Sequence, residues 1–155
     1  MTSDRTILIT GVTGKQGGAV AQALQGTGFR LHGLTRKPDS ERAVALARHG
    51  VDIVKGDLDD EATLRRALAG AWGVFGVQDT GEAGVEREKV QGKRLAKLAR
   101  EAGVEHYVYT SVGSAHKQTG VPHFDNKWRI EETVRGLCRV HHGPIYSTDR
   151  KPPAP

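Results

Sequence analysis

The sequence predicts a doubly wound parallel α/β sheet, and three observations carry that expectation. An apolar run from Thr6 ends in glycines at Gly11, Gly14 and Gly17, then continues as the helix-forming stretch Ala19-Val-Ala-Gln-Ala-Leu24. Strand-like and helical runs then alternate as far as residue 137. The connections between them are short, and such alternation forces parallel pairing through right-handed crossovers. The expected architecture is about five strands in the order 3-2-1-4-5 with helices on both faces. Ligands in such a sheet bind beyond the carboxyl ends of the strands, near the point where the order reverses.

The first strand, from Thr6, bends sharply where only glycine fits cheaply. Gly11 can take the positive φ of an abrupt turn, and Gly14 has no Cβ to keep a pyrophosphate from the backbone. Gly17 and Gly18 let the new helix lie close against the sheet, and its free amides and dipole suit a diphosphate. The spacing is G-x-x-G-x-x-G, with Thr13 where the second glycine of the commoner fingerprint stands. A glycine-rich turn with a purely structural role is the competing reading. The strand before and the helix after favour a dinucleotide cradle built from Gly11, Val12, Thr13, Gly14, Lys15, Gln16 and Gly17.

The first helix ends near Gly26 or Gly28, and Phe29 to Thr35 form the second strand. Pro38, Asp39 and Ser40 make a turn whose Asp39 or Ser40 caps a helix from Glu41 to His49, stopped by Gly50. Val51 to Lys55 is the third strand, and Glu61 to Ala69 the third helix, closed by Gly70. Trp72 to Val77 is the fourth strand. A polar loop leads from it to a long helix, Val85 to Ala102, with Leu95, Leu98, Ala99 and Ala102 in phase as its buried face. His106 to Thr110 is the fifth strand, Ser111 to Pro122 a polar loop, and Phe124 to Arg135 the last helix. One domain is expected over residues 1–137. Residues 138–155 lack a helical or strand period, are basic and proline-rich, and are expected to be irregular.

Composition bounds the function. A chain of 155 residues holds one domain with a proper core. Mean hydropathy is -0.48, and no apolar run approaches the roughly 20 residues that span a bilayer. No signal-length apolar segment follows the N-terminus, and Cys138 is the only cysteine, so a reducing cytoplasm is expected and no membrane partner. Net charge is +5, but acidic and basic residues are interleaved, so no nucleic-acid partner is expected. Lys89, Lys93, Lys97 and Arg100 recur along one face of a helix that Glu82, Glu86 and Glu88 begin, so its charges follow the dipole and a solvated face is expected over a nucleic-acid surface. No metal site is expected.

At the end of the second strand, where an aspartate or glutamate would accept from ribose hydroxyls, stands Thr35-Arg36-Lys37. A guanidinium and an ammonium attract a 2′-phosphate that a carboxylate repels, so NADP(H) is preferred over NAD(H). Plain surface charges are the alternative reading of Arg36 and Lys37. Asp57 with Leu58 would flank the adenine, unless Asp57 is only a turn aspartate. Val77, Gln78 and Ser111 complete the set of loops at strand carboxyl ends.

Thr-Gly-Val-Thr-Gly-Lys-Gln-Gly-Gly, Thr-Arg-Lys-Pro, Gly-Asp-Leu-Asp-Asp, Val-Gln-Gly-Lys, Tyr-Val-Tyr-Thr-Ser and His-Phe-Asp-Asn-Lys occur in that order. Together, from about Thr6 to Leu137, they resemble the NmrA-like, HSCARG-type group of atypical short-chain dehydrogenases. The resemblance implies an NADP-binding Rossmann domain with Lys127 near the nicotinamide ribose. It also implies a catalytic pattern of Ser, then Tyr-x-x-x-Lys, which Ser111 and Lys127 match and in which His123 stands for the tyrosine. An imidazole titrates near pH 6.5 against about 10 for a phenol, so His123 shuttles a proton or is simply a surface histidine at a helix start. Members without the tyrosine include NADP(H)-sensing regulators with protein partners and lysine-dependent reductases. The group resembled continues past this point with a substrate domain, and the tail here looks like a shifted or truncated ending. Strand five would then offer an edge for self-association.

Overall fold

The computed structural model describes residues 4–113, 115–117 and 119–137, with the side chains of residues 80 and 82 outside that set. The expectations for Cys138 and the tail therefore lie outside the described residues. Five parallel strands, β1 (Thr6–Ile9), β2 (Arg30–Thr35), β3 (Val51–Lys55), β4 (Ala71–Gly76) and β5 (His106–Tyr109), form one sheet in the order β3-β2-β1-β4-β5. Between them run α1 (Lys15–Leu24), α2 (Glu41–Arg48), α3 (Glu61–Leu68), the short α4 (Thr80–Ala83) and α5 (Val85–Glu101). After β5 come a 3-10 turn, Ala115–Lys117, and α6 (Pro122–Leu137). The order matches the expected one, and most element ends fall within one or two residues of their expected places.

Alternation along β1 splits the core in two. Ile9 turns to one face with Val12, Ala21, Leu31 and Val51, under α1. Leu8 turns to the other with Leu34, Leu64, Leu68, Val74, Leu95 and Leu98, under α3 and α5. Ala102, expected on the buried face of α5, is instead its exposed C-cap, because the helix ends at Glu101 and Gly103 turns away at φ 77°. Among the described residues no helix is long and apolar enough to cross a membrane.

Helix α6 packs on α5 because Gly92 leaves room for it. A Cβ on Gly92 would lie 2.8 Å from Ile130 Cδ1 and Cγ2, so only a hydrogen there allows this approach. Tyr109, Ala96, Ile130 and Val134 fill the contact. Glu88 sits one turn before Gly92 on the same stripe of α5, and this close crossing turns it toward α6.

Candidate functional site

The glycine turn is held from below and behind. Gly11 adopts φ 57°, and its carbonyl accepts from Gly14 N at 2.9 Å. A Cβ on Gly17 would stand 2.2 Å from Gly11 O and 2.9 Å from Thr10 O, so α1 can start this close to the turn only at glycine. Among the described residues no side chain caps α1 at Gly14, whereas Ser40 Oγ accepts from Ala43 N on α2 and Asp60 caps α3. Ser40, not Asp39, is thus the α2 cap. Thr10 is fully buried; its hydroxyl donates to Val77 O at 2.9 Å and accepts from Val77 N at 2.8 Å, fixing the turn against the end of β4.

A cleft of about 1340 Å³ runs along the carboxyl ends of the strands. Gly11, Thr13, Gly14, Lys15, Gln16, Gly17, Arg36, Lys37, Asp57, Leu58, Val77, Gln78, Ser111, His123 and Lys127, all named from the sequence, line it. Val12 is the exception. Its side chain is fully buried beneath the turn, where its methyl groups would lie 2.9 Å from a Cβ on Gly33. Asp57 takes the turn role as well as a place in the wall, since its Oδ1 accepts from Asp59 N at 2.9 Å.

Arg36 and Lys37 lie at the β2 end of the cleft, and Lys37 N donates to Thr35 Oγ1 at 3.1 Å. Arg42 joins them, a residue the sequence reading passed over. It reaches from α2 to donate through Nη1 to Thr13 O at 2.8 Å, tying α2 to the glycine turn. Gln78 lies between the two ends, 4% exposed, and neither its amide oxygen nor its nitrogen has a hydrogen-bond partner among the described residues. A buried primary amide with both ends unmet is costly unless a ligand completes it.

At the far end, His123 and Lys127 on α6 and Ser111 after β5, the three residues of the implied catalytic pattern, are divided between two buried carboxylates. Glu88 is fully buried; its Oε1 lies 2.5 Å from Lys127 Nζ and its Oε2 3.6 Å from His123 Nδ1. Asn126 Nδ2 donates to Glu88 Oε2 at 3.4 Å and to Val85 O at 2.8 Å. Ser111 goes elsewhere: its hydroxyl donates to Glu131 Oε2 at 3.0 Å, and Glu131 Oε1 accepts from Arg135. Lys127 Nζ also lies 5.5 Å from the ring centre of Tyr109, whose hydroxyl is pushed far above its ordinary pKa by burial and then by the nearby Glu88 charge. Among the described residues no group of three or more His, Cys, Asp or Glu is placed to hold a metal ion.

The β3–α3 loop is anchored to α5 through Asp59, which accepts from Arg87 Nε at 2.7 Å and Gln91 Nε2 at 2.9 Å. The Arg87 hydrogen bond, with help from Gln91 and the Arg94 charge, holds the Asp59 carboxyl below the usual carboxylate range. The folded chain therefore binds that proton less tightly than the unfolded chain. The stabilisation is complete above the unfolded value of about 3.9 and is lost as pH falls through the folded value. Asp59→Asn is expected to cost about 0.5 to 1 kcal/mol at pH 7, as befits a partly exposed pair, and to flatten the acid limb below about pH 4. Urea midpoints measured from pH 7 to 3 check this; parallel curves for both proteins would contradict it.

Residues 3–141 match the model of the NmrA-like family. The chain is 33% identical over 141 residues to the NmrA-like family domain-containing oxidoreductase FrzB of Cladobotryum sp, a match covering 84% of this chain and 42% of that protein. Among solved structures, the Citrobacter sp. triphenylmethane reductase complexed with NADP(H) superposes with a TM-score of 0.73 at 28% identity, over 85% of this chain and 46% of that one. The negative transcriptional regulator NmrA in complex with NADP gives a TM-score of 0.73 at 25% identity over 86% of this chain and 42% of that one. NmrA in complex with NAD gives 0.75 at 26%, over the same shares. The chain spans less than half the length of these relatives.

Proposed function

The chain belongs to the NmrA-like family, and from that premise we propose that it is an NADP(H)-binding module that serves as a redox-responsive regulator. One observation carries the reading: a single cleft joins the uncapped start of α1 to Arg36 and Lys37 at one end and Lys127 at the other. The diphosphate would lie on the amides of Gly14 to Gly17, where the helix dipole favours negative charge. Arg36 and Lys37 would hold the 2′-phosphate, and the unmet amide of Gln78 would meet the nicotinamide half. The bound cofactor would supply a transferable hydride. Lys127 would present its ammonium to the adjoining ribose hydroxyls.

The regulator reading stands ahead of a reductase because the proton-passing pattern is incomplete here. Ser111 donates to Glu131, and His123, in place of the tyrosine, sets its Nδ1 3.6 Å from the Glu88 carboxylate. The second reading, an NADPH-dependent reductase of a quinone-like or other small carbonyl substrate, draws on the likeness to the Citrobacter sp. reductase and on Lys127 and His123 sharing one wall of the cleft. Titrating the protein with NADPH and NADH, then following NADPH oxidation over a quinone panel, separates the two. Tight binding without turnover supports the regulator; turnover supports the reductase; no binding removes both.

The cofactor preference has its own test. Arg36→Ala is expected to weaken NADPH binding by about 1.5 to 3 kcal/mol while leaving NADH unchanged, since only the 2′-phosphate loses a charge-assisted partner. Equal losses for both dinucleotides, or none, would refute the assignment.

A further inference from the structure

Glu88 does not stand where the charge pattern of the α5 sequence puts it, among the acidic residues that begin a solvated helix and answer its dipole. A glutamate in the first turn of a helix ordinarily faces water and answers the dipole, as the 80% exposed Glu86 side chain does. Glu88 is instead fully buried, although its carboxylate stands behind the cleft wall rather than in it. An ionised carboxylate taken out of water costs several kcal/mol unless partners of good geometry recover it. Besides the Asn126 amide, its partners include two side chains one helical turn apart on α6, Lys127 and His123, and both of these line the cleft.

We propose that Glu88 is a positioning residue of the cleft. It acts through Lys127, holding Nζ at 2.5 Å so that the ammonium stays at the α6 end of the site, and thereby sets the affinity for the ribose–nicotinamide half of a dinucleotide. A lysine stem has four rotatable bonds, and an ammonium is a point charge with no preferred plane. Without an anchor its ordering entropy would be spent on each binding event. With Glu88 behind it, the side chain, 7% exposed, is fixed before the ligand arrives. The stripe that buries Glu88 is the one on which Gly92 lets Ile130 close in, so the anchor is built into the helix crossing. Two further titratable groups on the elements packed here are neutral or engaged elsewhere: Tyr109 of β5, whose hydroxyl burial keeps protonated, and Glu131 of α6, held by Ser111 and Arg135.

This inference rests on the dinucleotide reading, and its test keeps the two apart. Plain electrostatics and positioning predict opposite signs: removing a negative charge near a site for an anionic ligand should tighten binding, whereas losing the anchor should weaken it. Fluorescence titration with NADPH and with NADH is made on the unmutated chain, on Glu88→Gln, and on the double variant Glu88→Gln with Lys127→Met. Glu88→Gln is expected to lose about tenfold in affinity for both dinucleotides alike, the loss of one charge-assisted contact, with the double variant close behind. Glu88→Asp keeps the charge at shorter reach and is expected to fall between, which maintains the test should Glu88→Gln fold poorly. Unchanged or tighter binding in Glu88→Gln and Glu88→Asp, with loss only when Lys127 also goes, would overturn the positioning role. An unmutated chain that binds neither dinucleotide would remove the function and the inference together.

Discussion

Gly17→Ala is expected to lose about 3 kcal/mol or more of stability and, with it, dinucleotide binding. The added Cβ would stand 2.2 Å from Gly11 O, 2.6 Å from Gly11 C and 2.9 Å from Thr10 O. All three are backbone atoms of a turn that Thr10 clamps to β4, so no rotamer change relieves the clash. Overpacking in a well-packed site ordinarily costs about 1 to 3 kcal/mol, and rigid neighbours put this position at or above the upper end. For a chain of this size the melting temperature would drop by roughly 6 to 12 °C. Gly26 is the control: a Cβ there meets nothing within 4 Å, and its φ of 74° leaves only ordinary left-handed strain. Thermal melts of the two variants decide it, and a Gly17→Ala melt no lower than that of Gly26→Ala would show that the turn can yield.

Lys127→Ala is expected to be nearly as damaging, through its partner. Removing the ammonium takes the cation at 2.5 Å from a fully buried Glu88, whose Oε2 has the weaker contacts of the Asn126 amide at 3.4 Å and the His123 ring at 3.6 Å. Breaking a buried ion pair on one side costs about 3 to 5 kcal/mol, whereas replacing both members with apolar groups is often close to neutral. Urea unfolding should therefore place Lys127→Ala well below the unmutated chain, and Glu88→Leu with Lys127→Met well above Lys127→Ala. Equal midpoints for single and double variants would mean that the carboxylate finds other solvation. Loss of turnover or binding in Lys127→Ala consequently bears on function only where the fold is shown to persist.

Much of this architecture is legible in local chemistry. Strand order follows from alternating runs, and Gly11, Gly50, Gly70 and Gly103 all take positive φ at the turns where the sequence needs them. The cleft follows because its walls are strand ends, which short loops bring to one edge. Contacts between elements distant in the chain are much less legible. Glu88 looks like one more acidic residue at a helix start, since nothing local says that Lys127 of α6, 39 residues on, will meet it. A signal was nonetheless present: Glu88, Gly92 and Ala96 fall at four-residue steps, and small residues in phase mark a close helix contact. Arg42 carries no sequence signal because its partner is a backbone carbonyl, a group that no local pattern marks. The same holds for Ser111, whose Glu131 partner only the docking of α6 on the sheet brings near.

Val12 gives the glycine turn a further property. Its side chain plugs the core against Gly33 and Val51, while Arg42 grips the next residue's carbonyl from the opposite side. Turn residues that would contact a phosphate thus flank a hydrophobic bolt, and the loop's shape is set by the core rather than by the ligand. A cradle of that kind loses little conformational entropy on association, so more of each amide contact survives as affinity. The turn behaves as part of the scaffold, and adaptation to a ligand falls to the long side chains around it.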